Sequence, residues 1–266
     1  VDYEKIYPKS SIMHLVEFFW NFEGDFSKAA LHDHASVASV NPKLAFQYVP
    51  GITVANDGQY RELFASGFQM QTNSFYRLSS CQRVGIFGVY FKPYAISLLF
   101  NIPANEITNC NIEISEFLGK EGSVLEERIL NCKCIQERVE VITCYLENKM
   151  YTLPLNTTIT VETIQYLISK KGNIKLPELL DMQSLSQRQF ERIFKRLTGF
   201  SPKYFSRIVR FESSIANCYS GQLSLTDVAL FSGYFDQAHM IRDYKEFTGD
   251  PPSLFLSDEQ SLFVKD

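Results

Sequence analysis

Arg188 and Arg192 stand four residues apart in a segment whose large apolar residues recur at helical spacing, so both guanidinium groups share one outward face. Such a group can take a guanine edge through two hydrogen bonds, a contact worth roughly 1–3 kcal/mol of discrimination between bases. Phe190, Ile193, Phe194 and Leu197 form the inward face of the segment. Ser186 is the expected N-cap, and Gln187, Gln189, Glu191, Lys195 and Arg196 complete the candidate nucleic-acid contacts. Glu191 can accept from a cytosine amino group or orient Arg188; equally, it can pair with Lys195 four residues on. Lys195, Arg196 and Lys203 suit phosphates, contacts that position a protein without specifying a sequence.

The pattern occurs twice, about fifty residues apart. The first copy is Phe190-Glu-Arg192-Ile-Phe194-Lys195-Arg-Leu-Thr198-Gly199-Phe-Ser-Pro202, and the second Met240-Ile-Arg242-Asp-Tyr244-Lys245-Glu-Phe-Thr248-Gly249-Asp-Pro-Pro252. Each has a Gly where a helix can stop and a Pro just beyond. Each follows a short apolar-rich helix, the order found in helix-turn-helix DNA binding. In the second copy Met240, Tyr244 and Phe247 point inward, and Asp236 is the expected N-cap. Gln237, Ala238, Ile241, Arg242 and Lys245 point outward; Gln237 suits adenine and Ala238 a thymine methyl. His239 suits packing or phosphate better than base reading.

These helices need a frame. With 266 residues the chain has room for two domains, and 45% hydrophobic residues with 22 Phe and 14 Tyr let each bury a core. A net charge of -4 does not announce a nucleic-acid partner, yet Ser186–Arg210 carries seven bases (Arg188, Arg192, Lys195, Arg196, Lys203, Arg207, Arg210) against Glu191. From Gly221 to Asp266 acids outnumber bases, which places most of the expected affinity on the first copy. Six cysteines match no zinc spacing or disulfide framework, so reduced thiols are expected. No apolar run is long enough to span a membrane and no signal peptide is evident, so a soluble cytoplasmic protein without a membrane partner is expected.

Residues 1–150 are expected to form a β-rich domain with trailing helices, 151–158 a linker, and 159–266 an all-α domain. Strands are expected at Ala35–Val40, Leu44–Val49 and Val84–Phe91, the last nearly all apolar and so buried on both faces. A helix follows at Tyr94–Phe100, then a loop to Gly119, then one long helix or two over Gly122–Met150. Helices near Thr160–Lys170, Leu176–Met182, Gln187–Leu197, Pro202–Tyr219, Leu225–Phe231 and Gln237–Phe247, with a short one after Pro252, complete the α+β chain.

Ser186, Phe190-Glu-Arg192-Ile-Phe194-Lys195, Gly199-Phe-Ser-Pro202, Arg210, Gly233-Tyr-Phe-Asp236-Gln-Ala-His239 and Gly249-Asp-Pro-Pro252 resemble the DNA-binding domain of AraC-type (AraC/XylS) bacterial transcription regulators. Met240 and Tyr244 stand where that family usually has Phe. The resemblance implies two helix-turn-helix motifs joined by a linker helix, reading adjacent major-groove segments of double-stranded DNA through 187–197 and 237–247. It puts Arg192 and Arg242 in equivalent roles. Gly88-Val-Tyr-Phe91-Lys-Pro93, Ile102-Pro103 and Phe117-Leu-Gly119 resemble a sensor-like, barrel-like domain found ahead of such modules. That implies a regulator, activator or repressor, without cofactor, metal or catalytic residues. A small-molecule effector, RNA polymerase and a homodimer partner through 122–150 are admitted, not required. The aromatic wealth of the front fits a filled core better than a ligand pocket. The competing class is a metal-binding or enzymatic front domain with an attached reader, resting on His32-Asp33-His34, whose two histidines share one strand face.

Overall fold

The computed structural model describes residues 2–27, 32–56, 59–150, 158–182, 185–219 and 223–257. Ten strands precede most of the helices: β1 Asp2–Ile6, β2 Val16–Asp25, β3 His32–Ser36, β4 Lys43–Val49, β5 Thr53–Asn56, β6 Gln59–Glu62, β7 Ser66–Gln69, β8 Tyr76–Ser80, β9 Arg83–Phe91 and β10 Asn111–Glu113. They form two open antiparallel sheets, one ordered β1-β2-β9-β4-β7-β10 and the other β3-β8-β5-β6. The expected barrel is therefore an unclosed pair of facing sheets among the described residues.

β9 lies inside the larger sheet, which explains its apolar run. Phe87, Val89 and Phe91 face one core, while Val84, Ile86 and Tyr90 face another between the sheets. Gly88, opposite Trp20, interrupts the second row because a Cβ there would lie 2.2 Å from the indole. The outer core is covered by α1 Ala95–Phe100, α4 Lys120–Leu130 and α5 Ile135–Met150. The long 122–150 segment is thus two helices. The expected loop before Gly119 holds α2 Ala104–Ile107, β10 and α3 Ile114–Leu118.

The remaining helices are α6 Thr158–Ser169, α7 Leu176–Asp181, α8 Gln187–Thr198, α9 Pro202–Tyr219, α10 Leu225–Phe231, α11 Gln237–Thr248 and α12 Pro252–Ser257. The first six appear within two residues of their expected bounds, and the short seventh begins at Pro252. Residues 151–157 of the expected linker lie outside the described residues. The helical core is aromatic: Phe190, Phe194, Phe205, Phe211, Tyr244 and Phe247 are fully buried. Phe211 of α9 meets Tyr244 at 5.0 Å and Phe247 at 5.2 Å between ring centroids.

The strand expected over Ala35–Val40 stops at Ser36. Beyond it the backbone turns toward the helices: Ala38 N–H donates to the Phe247 carbonyl at 3.2 Å, and Val40 N–H to Glu212 Oε1 at 3.3 Å. Ala38, Val40 and Tyr94 join the helical core. Phe211→Ala, which removes the ring at the centre of that core, is expected to lower stability by about 3–5 kcal/mol in chemical denaturation.

Candidate nucleic-acid interface and the inter-sheet cavity

Ser186 starts α8 with a capping box: its Oγ accepts from Gln189 N–H, and Gln189 Oε1 accepts from Ser186 N–H at 3.1 Å. Asp236 starts α11 by accepting from His239 N–H at 2.7 Å. Both helices end at a left-handed glycine, Gly199 at φ 82° and Gly249 at φ 84°. Asp227 and Ser224 set the start of α10. Thr226 of α10 donates to Gln237 Oε1 at 3.2 Å, a link between the two helices of the second motif.

Gln187, Arg188, Gln189, Arg192, Lys195 and Arg196 are exposed on α8, with Glu191 half-buried. Glu191 accepts from Gln187 Nε2 at 2.8 Å, a partner not among those anticipated for it. Ile193, expected to face inward with Phe190, Phe194 and Leu197, is half-buried against the core. On α11, Ala238, Arg242 and Lys245 are exposed and Gln237 and His239 half-buried, the His239 ring standing edge-on to Tyr234 at 5.2 Å.

Two of the seven bases do not face outward. Arg207 of α9 lies between Asp243 Oδ1 and Glu246 Oε2, each 2.6 Å from Nη2. Arg210 donates to the Gly172 carbonyl and covers the Tyr234 ring at 5.4 Å. The exposed footprint is therefore Arg188, Arg192, Lys195, Arg196 and Lys203. Pairing works on the acidic side too, since Asp243 is only 1% exposed and answers Arg207 rather than solvent. The second motif also leaves Leu230, Phe231 and Phe235 bare, Phe235 at 87% exposure beside the N-cap of α11. Its counterpart in the first motif, Leu185, is half-buried.

Between the sheets lies an apolar cavity of ≈ 120 Å³. Trp20, Phe22 and Phe26 line it with residues of the facing sheet such as Leu78. At one rim Gln69 Nε2 donates to Ser36 Oγ at 2.8 Å, and Lys43 Nζ stands 4.8 Å from the centre of the Tyr90 ring. Burial pulls the Lys43 pKa down, but Tyr90, Tyr76 and the Glu212 charge outweigh it and hold the ammonium form. The aromatic residues thus supply both a core and a hollow. His32 and His34 belong to β3, but their side chains lie outside the described residues.

A larger cleft of ≈ 590 Å³ separates the sheets from the helices and is lined by Lys43, Lys92, Tyr94, Gln165 and Glu212 among others. Desolvation pushes the Glu212 carboxyl from 4.5 up to about 7, against the opposing pull of Ser39, Val40 and Lys43.

The helical domain packed on the sheets carries two helix-turn-helix units, each with an exposed arginine on its second helix. Residues 179–258 match the family model of a helix-turn-helix domain, and residues 4–113 match a domain of unknown function, DUF6597. An uncharacterised HTH-type transcriptional regulator of Haemophilus influenzae is 29% identical over 101 residues, 38% of this chain and 33% of that relative. The chain thus spans about a third of the length of this curated relative. The solved structure of unsaturated fatty acid bound wild-type ToxT from Vibrio cholerae is 15% identical, with a TM-score of 0.50 over 90% of this chain and 95% of that one. A second ToxT crystal structure has 14% identity and a TM-score of 0.49, covering 90% of this chain and 97% of that one. The matched part of the helical domain is a helix-turn-helix domain.

Glu212 gives a pH test. Its folded pKa lies above its unfolded value, so the native state binds more protons between about pH 4.5 and 7, and stability from this group falls as pH rises through that window. Glu212→Gln is expected to gain on the wild type by up to about 3 kcal/mol between pH 5 and 8 in denaturant titrations. A constant difference across that range would refute the assignment.

Proposed function

We propose that this protein is a sequence-specific transcription regulator that reads two successive major-groove segments of double-stranded DNA, through α8 and α11, inside the cell. The observation that carries this reading is the pairing of two capped helices, fifty positions apart in sequence, with Arg192 and Arg242 exposed at equivalent sites. Arg188 and Arg192 serve as base readers, while Lys195, Arg196 and Lys203 meet phosphates. Gln237, Ala238, Arg242 and Lys245 do the corresponding work in the second motif. With two of its acids engaged by Arg207, α11 approaches phosphates with less repulsion than its composition suggests. No catalytic step is required of any residue. RNA polymerase and a second copy of the chain are further partners consistent with such a role.

Selection from a random duplex pool by the full chain is expected to return two blocks about one helical turn apart. Arg192→Ala should remove specific binding and Arg242→Ala weaken it less. Wild-type affinity in both variants would sink the assignment.

The inter-sheet cavity is the proposed effector site, and its chemistry suits an apolar acid: aromatic walls for the chain and Lys43 at the rim for the carboxylate. The fatty acid held by the ToxT structure of similar fold supports that choice of probe. Trp20 is the single tryptophan and lines the cavity, so its fluorescence reports occupancy directly. Titration with a short-chain fatty acid, the size that an ≈ 120 Å³ cavity admits, is expected to shift Trp20 emission, and Lys43→Met to weaken the acid at least tenfold while leaving the matching alcohol unaffected. An unshifted wild-type spectrum would rule this ligand class out.

A further inference from the structure

The last turn of any helix leaves carbonyl oxygens without helical partners. In both reading helices the front domain supplies one. Ser97 Oγ, on α1, donates to the Arg196 carbonyl of α8 at 3.2 Å. Ala38 N–H, beyond β3, donates to the Phe247 carbonyl of α11 at 3.2 Å. The glycines that end the helices are covered as well. A Cβ on Gly199 would stand 2.2 Å from Thr108 Oγ1 and 2.9 Å from Gln71 Nε2, and one on Gly249 would stand 2.5 Å from the Phe75 ring.

Gln71 and Phe75 belong to one short connection between β7 and β8, so a single loop touches the ends of both readers. That loop is braced. Asn109 Oδ1 accepts from Thr72 Oγ1 at 2.9 Å and from Asn73 N–H at 3.0 Å, and Asn109 N–H donates to the Gln71 carbonyl. Asn73 Nδ2 donates to Tyr204 OH, which donates to Glu246 Oε1 at 2.6 Å. Arg77, just past the loop, pairs with Asp250 at 3.0 Å.

The contacts to α8 and α11 fall at or just past the C-terminal ends of those helices, and one more, from Asn73 to Tyr204, falls at the start of α9. The N-terminal residues that face base edges in a helix-turn-helix, Arg188 and Ala238 among them, remain exposed. The front domain therefore does not cover the reading surface; it grips the two helices from behind. We propose that the front domain is a specificity-determining element of the DNA reader, which fixes the distance between α8 and α11 and so the spacing allowed between the two DNA blocks. The inference rests on both helices reading DNA.

The test measures full-length protein on duplexes carrying the two selected blocks with the spacer changed one base pair at a time. For the wild type, one inserted or deleted pair is expected to weaken binding at least tenfold. Phe75→Ala with Arg77→Ala, which frees the second reader, should reduce that penalty to less than threefold. Gln71→Ala with Ser97→Ala, which frees the first, should do the same and carries the comparison if the other pair fails to fold. Folded variants that keep the wild-type spacing profile would overturn the proposal while leaving the two-block reader intact. A wild type that enriches a single block, or none, overturns the proposal together with the reading on which it rests.

Discussion

The orientation of the second reader depends on one charge pair. Arg207 rises from α9, the helix shared by both motifs, and places Nε and Nη2 on Asp243 Oδ1 at 3.2 and 2.6 Å. Asp243 is buried, so removal of Arg207 would leave its carboxylate unpaired and away from water, a loss of about 3–5 kcal/mol where such pairs are broken. The guanidinium also lies over Tyr204 at 5.0 Å and Phe247 at 5.2 Å, which ties the pair to the aromatic core. Glu246 and Tyr204 extend it toward the front domain. Rotation of α11 about its axis would have to break this set together.

The same pair shows where sequence reading reaches its limit. Periodicity located all seven C-terminal helices, and the alternation within β9 follows from burial on both faces, so local physics was legible there. Capping was equally legible, because Ser186, Asp236, Gly199 and Gly249 act through neighbours a few residues away. Charge was not. Arg207 and Asp243 are thirty-six positions apart, and a tally of bases and acids cannot tell a pair turned inward from two charges in solvent. The end of β3 at Ser36 was hidden for the same reason: the groups that receive Ala38 and Val40, on α11 and α9, are more than 170 positions away.

The cavity between the sheets illustrates a related point about aromatic composition. Trp20 and Gly88 face each other across β2 and β9, and the indole occupies the space a side chain at 88 would take. The ring is thereby held flat against the sheet, and the hollow beside it survives. A count of Phe and Tyr suggests a filled core; only the pairing register reveals which rings pack and which border space. Lys43 sits where this hollow meets the interdomain cleft, so a charge at the rim is sensed on both sides.

Capping, packing and the paired glycines make the two motifs alike in how they are built, yet their outward residues differ. Arg188 corresponds to Ala238, Glu191 to Ile241 and Leu185 to the bare Phe235. A symmetric dimer reads a palindrome and binds it equally well either way round. On the proposed two-segment reading, the unlike helices of one chain have no two-fold axis, so the DNA they match would have a left and a right. A single molecule would then lie on its site in one direction only and present the same flank to whatever is bound next along the duplex.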